Sequence, residues 1–341
     1  MSHSNSSLNC FMDCPAKYDL HYIKRIPSPA KPSPHLVFGS MAHEVLEKAG
    51  QLRDHSNLGL VEPGEYHTII PSEVLYPNLK TEFQISSWQR YFMAVIKQTS
   101  TYEKECYNEL QDESGLEPII EREVKIQIPP ELLGELGYGP CKQAVVGVID
   151  LLLYTPTHAI ILDYKFSVNR KSQDDFDLDS QLPLYAFLVH LQYDIPLHNI
   201  QYGYIDIPKQ DFGKPTLLSN GTLSRSKSQN LSQDMYKKAV DAIHKGDAYY
   251  NCEPGGYYHD CYCALALNKP AYLSKQYADL DIVHNIADDI MQEAKLIDYM
   301  QEHKLPFVRK YGAYNCKSCE YLSICKPWLG LEDKFKCHLQ H

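Results

Sequence analysis

Three residues near the middle of the chain have the types and spacing of a metal-dependent hydrolytic site. Asp150 and Asp163 each interrupt a strongly apolar run, and Lys165 follows Asp163 by two positions. Carboxylate oxygens are ligands that Mg²⁺ and Mn²⁺ prefer. An ammonium group beside such an ion can orient or deprotonate a water molecule. The alternative is a surface hairpin with ordinary ion pairs, which the apolar flanking residues disfavour.

The sequence around these residues predicts a hairpin that brings the two aspartates together. Residues 144–154 and 159–166 are apolar runs joined by a short Thr/Pro-containing turn. With the turn centred on that segment, Asp150 faces Asp163 and their Cβ atoms lie about 5 Å apart. Because side chains alternate along a strand, Lys165 shares the face of Asp163. Two adjacent carboxylates repel each other unless a cation neutralises them.

The remaining pattern predicts an α/β core with helical additions. Apolar periodicity, capping residues and turn signals decide the elements. Helices are expected over 41–48 (capped by Ser40), 80–113, 177–192, 230–250 and 276–303, and strands over 119–128, 144–154, 159–166 and 201–207.

Composition narrows the class of protein. The 341 residues carry a formal net charge of −10, which argues against a broad, non-specific grip on nucleic acid. It leaves a nuclease open, because bound divalent metals supply local positive charge. The chain has no apolar run of the roughly 18–20 residues that a membrane span needs, and its first residues lack the apolar segment of a secretory signal. We therefore expect a soluble, cytoplasmic protein.

A group of cysteines near the end of the chain has the spacing of metal ligands. Cys316, Cys319 and Cys325 form a C-x2-C-x5-C pattern, one thiolate short of a closed four-cysteine site. Cys10 or Cys14 can supply the missing ligand from the other end of the chain. Zinc and an iron–sulfur cluster both suit four thiolates.

Five motifs resemble, in order, those of the PD-(D/E)XK nuclease superfamily. Asp150 with Asp163-Tyr164-Lys165 resembles its active-site signature, and Gly147-Val-Ile-Asp150 resembles the RecB-like branch. Gly39-Ser40-Met41-Ala42-His43 resembles the family's helix that carries a metal-binding histidine. Gln181-Leu-Pro-Leu-Tyr185 resembles its Q-x3-Y helix. Cys14-Pro15, with the three C-terminal cysteines, resembles the iron–sulfur staple of AddB-type and CRISPR-associated exonucleases. The likeness covers about residues 4–327.

The resemblance implies a fold and a set of site residues. The fold would be a restriction-endonuclease-like core, a mixed central sheet flanked by helices, with helical insertions and a 4Fe–4S cluster joining the two ends. The implied residues are His43, Asp150, Asp163 and the backbone carbonyl near Tyr164 for one or two Mg²⁺ or Mn²⁺ ions; Lys165 for the attacking water; Gln181 and Tyr185 for the phosphate; and Cys14, with Cys10 as fallback, Cys316, Cys319 and Cys325 for the cluster. Glu121 and Glu123 are further candidate carboxylates, of which Glu123 is preferred.

The resemblance also implies an activity. We expect a metal-dependent deoxyribonuclease, an exonuclease acting on single-stranded DNA or duplex ends in replication, recombination or repair. The chain has no G-x4-G-K-[ST] phosphate loop, so a helicase or recombination partner would have to supply unwinding. If the protein is phage-encoded, it would work in the host cytoplasm. The alternatives are a catalytically silent scaffold that binds DNA or a partner, a structure-specific endonuclease, and a zinc-binding interaction protein.

We expect one compact nuclease domain made of consecutive regions. These are an N-terminal segment with the first cluster cysteine (1–38), a helical region carrying His43 (39–118), the nuclease core (119–207), a loop and helical region (208–300) and a C-terminal cluster-binding segment (301–341).

Overall fold

A computed structural model gives the architecture of the chain. It describes residues 2–54, 66, 69–70, 79, 85, 87–139, 141–167, 171–210, 213–265, 268–310, 316–317 and 319–328. In chain order the elements are β1 (His3–Ser4), α1 (Asn5–Asp13), α2 (Pro15–Tyr18), a π-helical turn (Asp19–Ile23), α3 (Pro34–Asp54), α4 (Trp88–Ser114), β2 (Ile119–Ile128), α5 (Pro130–Glu135), β3 (Val145–Tyr154), β4 (Ala159–Ser167), α6 (Gln173–Asp177), α7 (Gln181–Tyr193), a 3₁₀ turn (Leu197–Asn199), β5 (Ile200–Pro208), α8 (Gln233–His244), α9 (His259–Leu265), β6 (Tyr272–Tyr277), α10 (Leu280–Glu302) and α11 (Leu322–Trp328). Within these residues, every helix is too short or too polar to cross a lipid bilayer.

The strands form one mixed sheet with helices on both faces. The strand order is β1-β3-β4-β5-β6. One edge of β3 pairs with β4 and then with β1, and the opposite edge of β3 pairs with β2. The β1–β3 and β4–β5 pairs are parallel, whereas the β2–β3, β3–β4 and β5–β6 pairs are antiparallel. Apolar side chains of α3 and α4 cover one face of the sheet, and those of α1, α7 and α10 cover the other. The α/β prediction with a mixed central sheet is therefore confirmed.

The predicted hairpin has the predicted register. Leu151 pairs with Leu162 and Tyr154 pairs with Ala159, so continuing the ladder by one step places Asp150 opposite Asp163. The β3–β4 ladder ends before that step. Further along the same edge, β3 pairs with β1 instead. The edge of β3 at Asp150 therefore lies between the ends of two ladders.

The structure differs from the sequence predictions at the start of α3. A helix was expected only from Met41, after a Ser40 cap, but α3 begins at Pro34. Proline has no N–H to satisfy at a first helical position and a φ already suited to a helix, so it starts the helix rather than ending it. The longer helix buries Phe38 against Trp88 and Phe92 of α4.

Other boundaries shift for local reasons. The helix expected over 80–113 begins at Trp88 behind a Ser87 cap; of the earlier predicted residues, 80–84 and 86 lie outside the described part of the chain. The helix expected over 177–192 corresponds to α7, which begins at Gln181, and the separate short helix α6 ends at Asp177. The short strands β1 and β6 were not predicted.

Candidate active site

The opening in the β3–β4 hairpin holds the two aspartates. The Asp150 Oδ2 atom accepts a hydrogen bond of 2.7 Å from the backbone N–H of Tyr164, which ties the two strands together where their ladder has ended. Both carboxylates are buried. Burial and the charge of Asp163 raise the pKa of Asp150 well above its usual value. Burial also raises the pKa of Asp163, against the opposing effect of the Lys165 ammonium. Burial therefore disfavours a full negative charge on either carboxylate.

Lys165 and the start of α7 surround Asp163. The Lys165 Nζ atom lies 2.7 Å from Asp163 Oδ2 and donates a 2.7 Å hydrogen bond to Gln181 Oε1. The Gln181 Nε2 atom donates to Asp163 Oδ1 at 2.9 Å and to the Tyr185 hydroxyl at 2.8 Å. Gln181 and Tyr185 are four residues apart and share one face of α7. The structure thus brings these predicted residues into one hydrogen-bonded group.

A glycine in β3 allows α7 to approach this closely. A Cβ atom at Gly147 would lie 2.8 Å from the Tyr185 ring and 2.8 Å from the Leu188 side chain. The neighbouring backbone N–H of Val148 donates to the Tyr185 hydroxyl. The glycine three residues before Asp150 is therefore explained by packing, because it lets Tyr185 lie against the strand that carries the aspartate.

His43 approaches Asp150 from the opposite face of the sheet. It lies on α3, and its Nδ1 atom is 3.4 Å from Asp150 Oδ2. Burial lowers the pKa of His43 despite the nearby Asp163 carboxylate. The lowered pKa favours the neutral imidazole, which is the form that ligates metals.

Glu123 completes a group of three ligand atoms. Its neighbours Arg122 and Val124 pair with Leu151 and Ile149, so Glu123 lies opposite Asp150 in the β2–β3 ladder. Its φ is +48°, a left-handed conformation that costs about 1–2 kcal/mol in a residue with a side chain. One ligand atom each from His43, Glu123 and Asp150 lie within 4.8 Å of one another. Strain at this residue therefore accompanies the placement of its carboxylate beside Asp150.

The close ligand group contains His43 and Asp150, as expected, together with Glu123, which was expected only as a further candidate. Glu123 lies in it, whereas Asp163 is turned toward Lys165 and Gln181. For Tyr164, the backbone N–H contacts the site by donating to Asp150. Sequence reasoning preferred Glu123 over Glu121 only weakly, since a solvated strand face accounts for both.

Glu121 lies apart from the site. Its two carboxylate oxygens accept hydrogen bonds of 3.0 Å from the hydroxyls of Tyr154 and Tyr193. The left-handed turn of the backbone at Glu123 interrupts the alternation of the strand, and this separates the two glutamates.

The donor set fits a divalent cation. Two carboxylates and an imidazole are ligands that Mg²⁺ or Mn²⁺ accepts in proteins. The raised pKa values of Asp150, Asp163 and Glu123 all reflect burial, with a contribution from neighbouring negative charge in Asp150 and Glu123. A cation among these residues would relieve that repulsion, so the charge of the site matches the chemistry of its ligands.

A buried ionic network that sequence reasoning missed lies behind the site. Glu103 on α4 accepts hydrogen bonds from Arg53 (2.8 Å), Arg122 (2.6 Å) and the Tyr164 hydroxyl (2.6 Å). The two arginines hold the pKa of Glu103 down at about 2 despite its burial. Arg122 also binds Asp54 through two hydrogen bonds of 2.8 and 3.0 Å. The network joins α3 and α4 to the residues adjoining Glu123 and Asp163.

The sequence signal for this network was a charged residue within a helix or strand that also carries apolar residues. Gly50 belongs to the same arrangement, since a Cβ there would lie 2.2 Å from the Arg122 guanidinium carbon. Nothing in the spacing of Arg53, Glu103 and Arg122 along the chain links them, because they lie far apart in sequence.

The two ends of the chain meet, but the predicted cysteine site is not formed among the described residues. Lys17 lies 3.3 Å from Glu320, and His21 Nδ1 is 2.9 Å from the Tyr321 hydroxyl. The Cys319 thiol has a raised pKa, mainly through burial. The cysteines expected as ligands are free thiols, and no three of them come close enough to share an ion.

The family of the chain follows from comparison with known proteins. The chain resembles a crystal structure of a "Putative exonuclease" from Eubacterium rectale, with a TM-score of 0.45, 10% identity, and coverage of 93% of this chain and 85% of that one. It also resembles the structure of a protein named SSO0001, with a TM-score of 0.26, 10% identity and 84% coverage of each chain. No match was found among curated proteins. A family model described as the PD-(D/E)XK nuclease superfamily matches residues 2–326, and the chain therefore belongs to the PD-(D/E)XK nuclease superfamily.

Proposed function

We propose that this nuclease hydrolyses phosphodiester bonds of single-stranded DNA, working from an end, with Mg²⁺ or Mn²⁺. The observation that carries the proposal is the convergence of Asp150, Asp163 and Lys165 at the opening of the β3–β4 hairpin. Buried carboxylates with raised pKa values, next to an ammonium group, are typical of catalytic sites.

Three side chains would hold the cation. These are His43, Glu123 and Asp150, with Asp163 adjoining them through its electrostatic interaction with Asp150. When bound, the metal supplies Lewis-acid polarisation of the scissile phosphate. Tyr164 orients Asp150 through its backbone N–H, and its hydroxyl anchors this part of β4 to Glu103.

Lys165 would act on the water and on the phosphate. Its ammonium group is held between Asp163 and Gln181, and it is only partly exposed. A fixed positive charge at this position stabilises negative charge that develops on phosphate oxygens, and it orders an attacking water. The water oxygen bonds to phosphorus as the bond to one flanking sugar oxygen breaks.

Gln181 and Tyr185 would position the substrate backbone. The Tyr185 hydroxyl oxygen accepts hydrogen bonds from Gln181 Nε2 and from the Val148 backbone N–H. Its own proton is therefore directed away from these groups and can be donated to a phosphate oxygen.

End-labelled single- and double-stranded oligonucleotides, with Mg²⁺, Mn²⁺ or a chelator, test the proposal. We expect cleavage only with metal, and a loss of about 10³-fold or more in Lys165→Ala and in Asp163→Ala, with the fold unchanged by circular dichroism. Lys125→Ala, on the exposed side of β2, is the matched control and should keep full activity. Retained cleavage by purified Lys165→Ala would overturn the assignment.

The same assay separates the alternatives. A silent scaffold would bind the oligonucleotides without cutting them under any metal condition. A structure-specific endonuclease would nick circular single-stranded DNA, whereas an end-dependent exonuclease would leave it intact. The intact set of Asp150, Asp163 and Lys165 favours a catalyst over a scaffold.

We also retain a 4Fe–4S cluster as a proposal, with Cys14, Cys316, Cys319 and Cys325 as its ligands and Cys10 as the fallback. Its support is the contact of the two chain ends around these cysteines and the electrostatic influence of Cys14 and Cys325 on Cys319. Because no three of these thiols lie close enough to share an ion, a cluster would require this region to tighten around it.

Metal analysis tests the cluster. Protein prepared without oxygen should contain iron and acid-labile sulfide, and Cys316→Ser should lower both the iron content and the thermal stability. Cys263→Ser, at an exposed cysteine of α9, is the control and should change neither. Zinc in place of iron and sulfide, or an unchanged stability of Cys316→Ser, would exclude the cluster.

The wider setting is proposed on the same basis. The substrate would be DNA met during replication, recombination or repair, in the cytoplasm, with a helicase or recombination partner supplying unwinding. The division into regions 1–38, 39–118, 119–207, 208–300 and 301–341 stays a prediction.

A further inference from the structure

A polar cavity of about 380 Å³ adjoins the candidate active site on the α7 face of the sheet. It is lined by Lys171, Ser172, Gln173, Phe176, Asp206 and Ser274. Asp206 is the partner of Lys165 in the parallel β4–β5 ladder, so the cavity begins one strand away, about 5 Å, from the lysine of the site. Its volume lies at the lower end of the range for small-ligand pockets. The cavity therefore suits one nucleotide rather than a base pair.

The cavity is connected to the site by two lysines that flank one aromatic ring. The Lys165 Nζ atom lies 5.3 Å from the centre of the Tyr204 ring, and the Lys171 Nζ atom lies 4.1 Å from it. Lys171 is held there by an ion pair of 2.9 Å with Asp179. Asp179 also accepts the backbone N–H of Gln181 at 2.7 Å. A ligand in contact with Lys165 could thus reach Lys171 without leaving the surface.

The groups of the cavity wall match the parts of a nucleoside. Asp206 is 1% exposed, and a carboxylate accepts hydrogen bonds from sugar hydroxyls and from base amino groups. Lys171, Gln173 and the serine hydroxyls can donate to base carbonyls and ring nitrogens. Phe176 adds an apolar part to the cavity wall, where its ring packs against Tyr202 and Tyr204.

We infer that this cavity binds the base and sugar of the terminal nucleotide, while its phosphate lies at Lys165. The inference rests on the proposed nuclease function, and it explains why the enzyme would cleave DNA from a strand end. A pocket sized for one nucleotide admits a strand terminus, but a continuous strand would have to fold sharply to enter it. The ligand class is a deoxynucleoside 5′-monophosphate.

Direct binding of thymidine and deoxyadenosine 5′-monophosphates to the full chain tests the inference, without reference to cleavage. The affinity should fall at least tenfold in Lys171→Gln and in Asp206→Asn, because each removes a charged hydrogen-bonding group. Lys237→Gln is the matched control, since Lys237 on α8 also has a 2.9 Å carboxylate partner, Glu253, and is not in the cavity wall. Its affinity should equal that of the wild type.

A second measurement uses product length. The wild type should release mononucleotides from a labelled oligonucleotide, and Asp206→Asn should release a larger share of longer fragments. If the wild type cleaves DNA but binds neither monophosphate, the pocket is refuted while the nuclease function stands. If it binds them but cleaves nothing with either metal, the nuclease function fails and the nucleotide site stands. Equal affinity in Lys171→Gln, Asp206→Asn and wild type would overturn the inference.

Discussion

Replacing Glu103 by glutamine tests whether the buried network supports the fold behind the site. The Glu103 side chain is fully buried and accepts hydrogen bonds from Arg53, Arg122 and the Tyr164 hydroxyl. Glutamine has the same shape but no charge, so Arg53 loses its buried counterion. Arg122 keeps Asp54. The change isolates the electrostatic contribution of one carboxylate.

The magnitude follows from the pKa of Glu103. A pKa of about 2, against an ordinary glutamate value of 4.5, means that the folded state favours the ionised form. The difference corresponds to about 3 kcal/mol at neutral pH. Breaking a buried ion pair on one side costs about 3–5 kcal/mol, which agrees. Since the folded pKa is depressed, this stabilisation is present above about pH 4.5 and is lost as the pH falls toward 2.

Urea unfolding of wild type and Glu103→Gln at pH 7, 4 and 3 measures the effect. We expect the variant to be less stable by about 3 kcal/mol at pH 7, with the gap closing as the pH falls below about 4.5. Glu105→Gln, at an exposed position of the same helix, is the control and should change stability by less than about 0.5 kcal/mol. A gap below about 1 kcal/mol at pH 7, or one that does not change with pH, would refute the reasoning.

Three further predictions concern packing, the first strand and the cation. Gly147→Ala should destabilise the protein by about 1–3 kcal/mol in urea unfolding and reduce cleavage, because the added Cβ would overlap the Tyr185 ring. Gly134→Ala is the control and should have little effect in both assays, because the space around Gly134 is open. His3→Ala should lower the free energy of unfolding by about 1–3 kcal/mol and expose the first residues to proteolysis, because His3 Nε2 lies 3.0 Å from the buried Asp298. An unchanged proteolytic pattern would contradict this prediction. Mn²⁺ at 100 times its Kd should stabilise the fold by about 2.7 kcal/mol, seen as a higher Tm that a chelator reverses; an unmoved Tm would argue against the cation site.

Local periodicity was enough to predict the hairpin and the groups it carries. Side chains alternate along each strand and the turn is short. The register that places Asp150 opposite Asp163 therefore follows from the local sequence alone. The same holds for Gln181 and Tyr185, which are one helical turn apart. These relations depend on residues close in sequence, and the structure reproduces them.

Relations between distant residues could not be predicted in this way. The left-handed backbone at Glu123 interrupts the alternation on which the prediction of β2 relied, and it decides that Glu123 rather than Glu121 lies beside Asp150. The Glu103 network draws on residues from two helices and two strands. Periodicity carries no information about such partners, because their approach depends on how the helices pack on the sheet.

The sequence by itself determined that two carboxylates and a lysine meet on one hairpin, because short-range geometry leaves a strand–turn–strand segment few alternatives. Only the tertiary structure decided what lies around them. It added His43 from one face of the sheet, the Gln181 helix from the other and Glu123 from the neighbouring strand. The reason is that the packing of these elements depends on the burial of apolar side chains from distant parts of the chain. No short stretch of sequence specifies which of those side chains will meet.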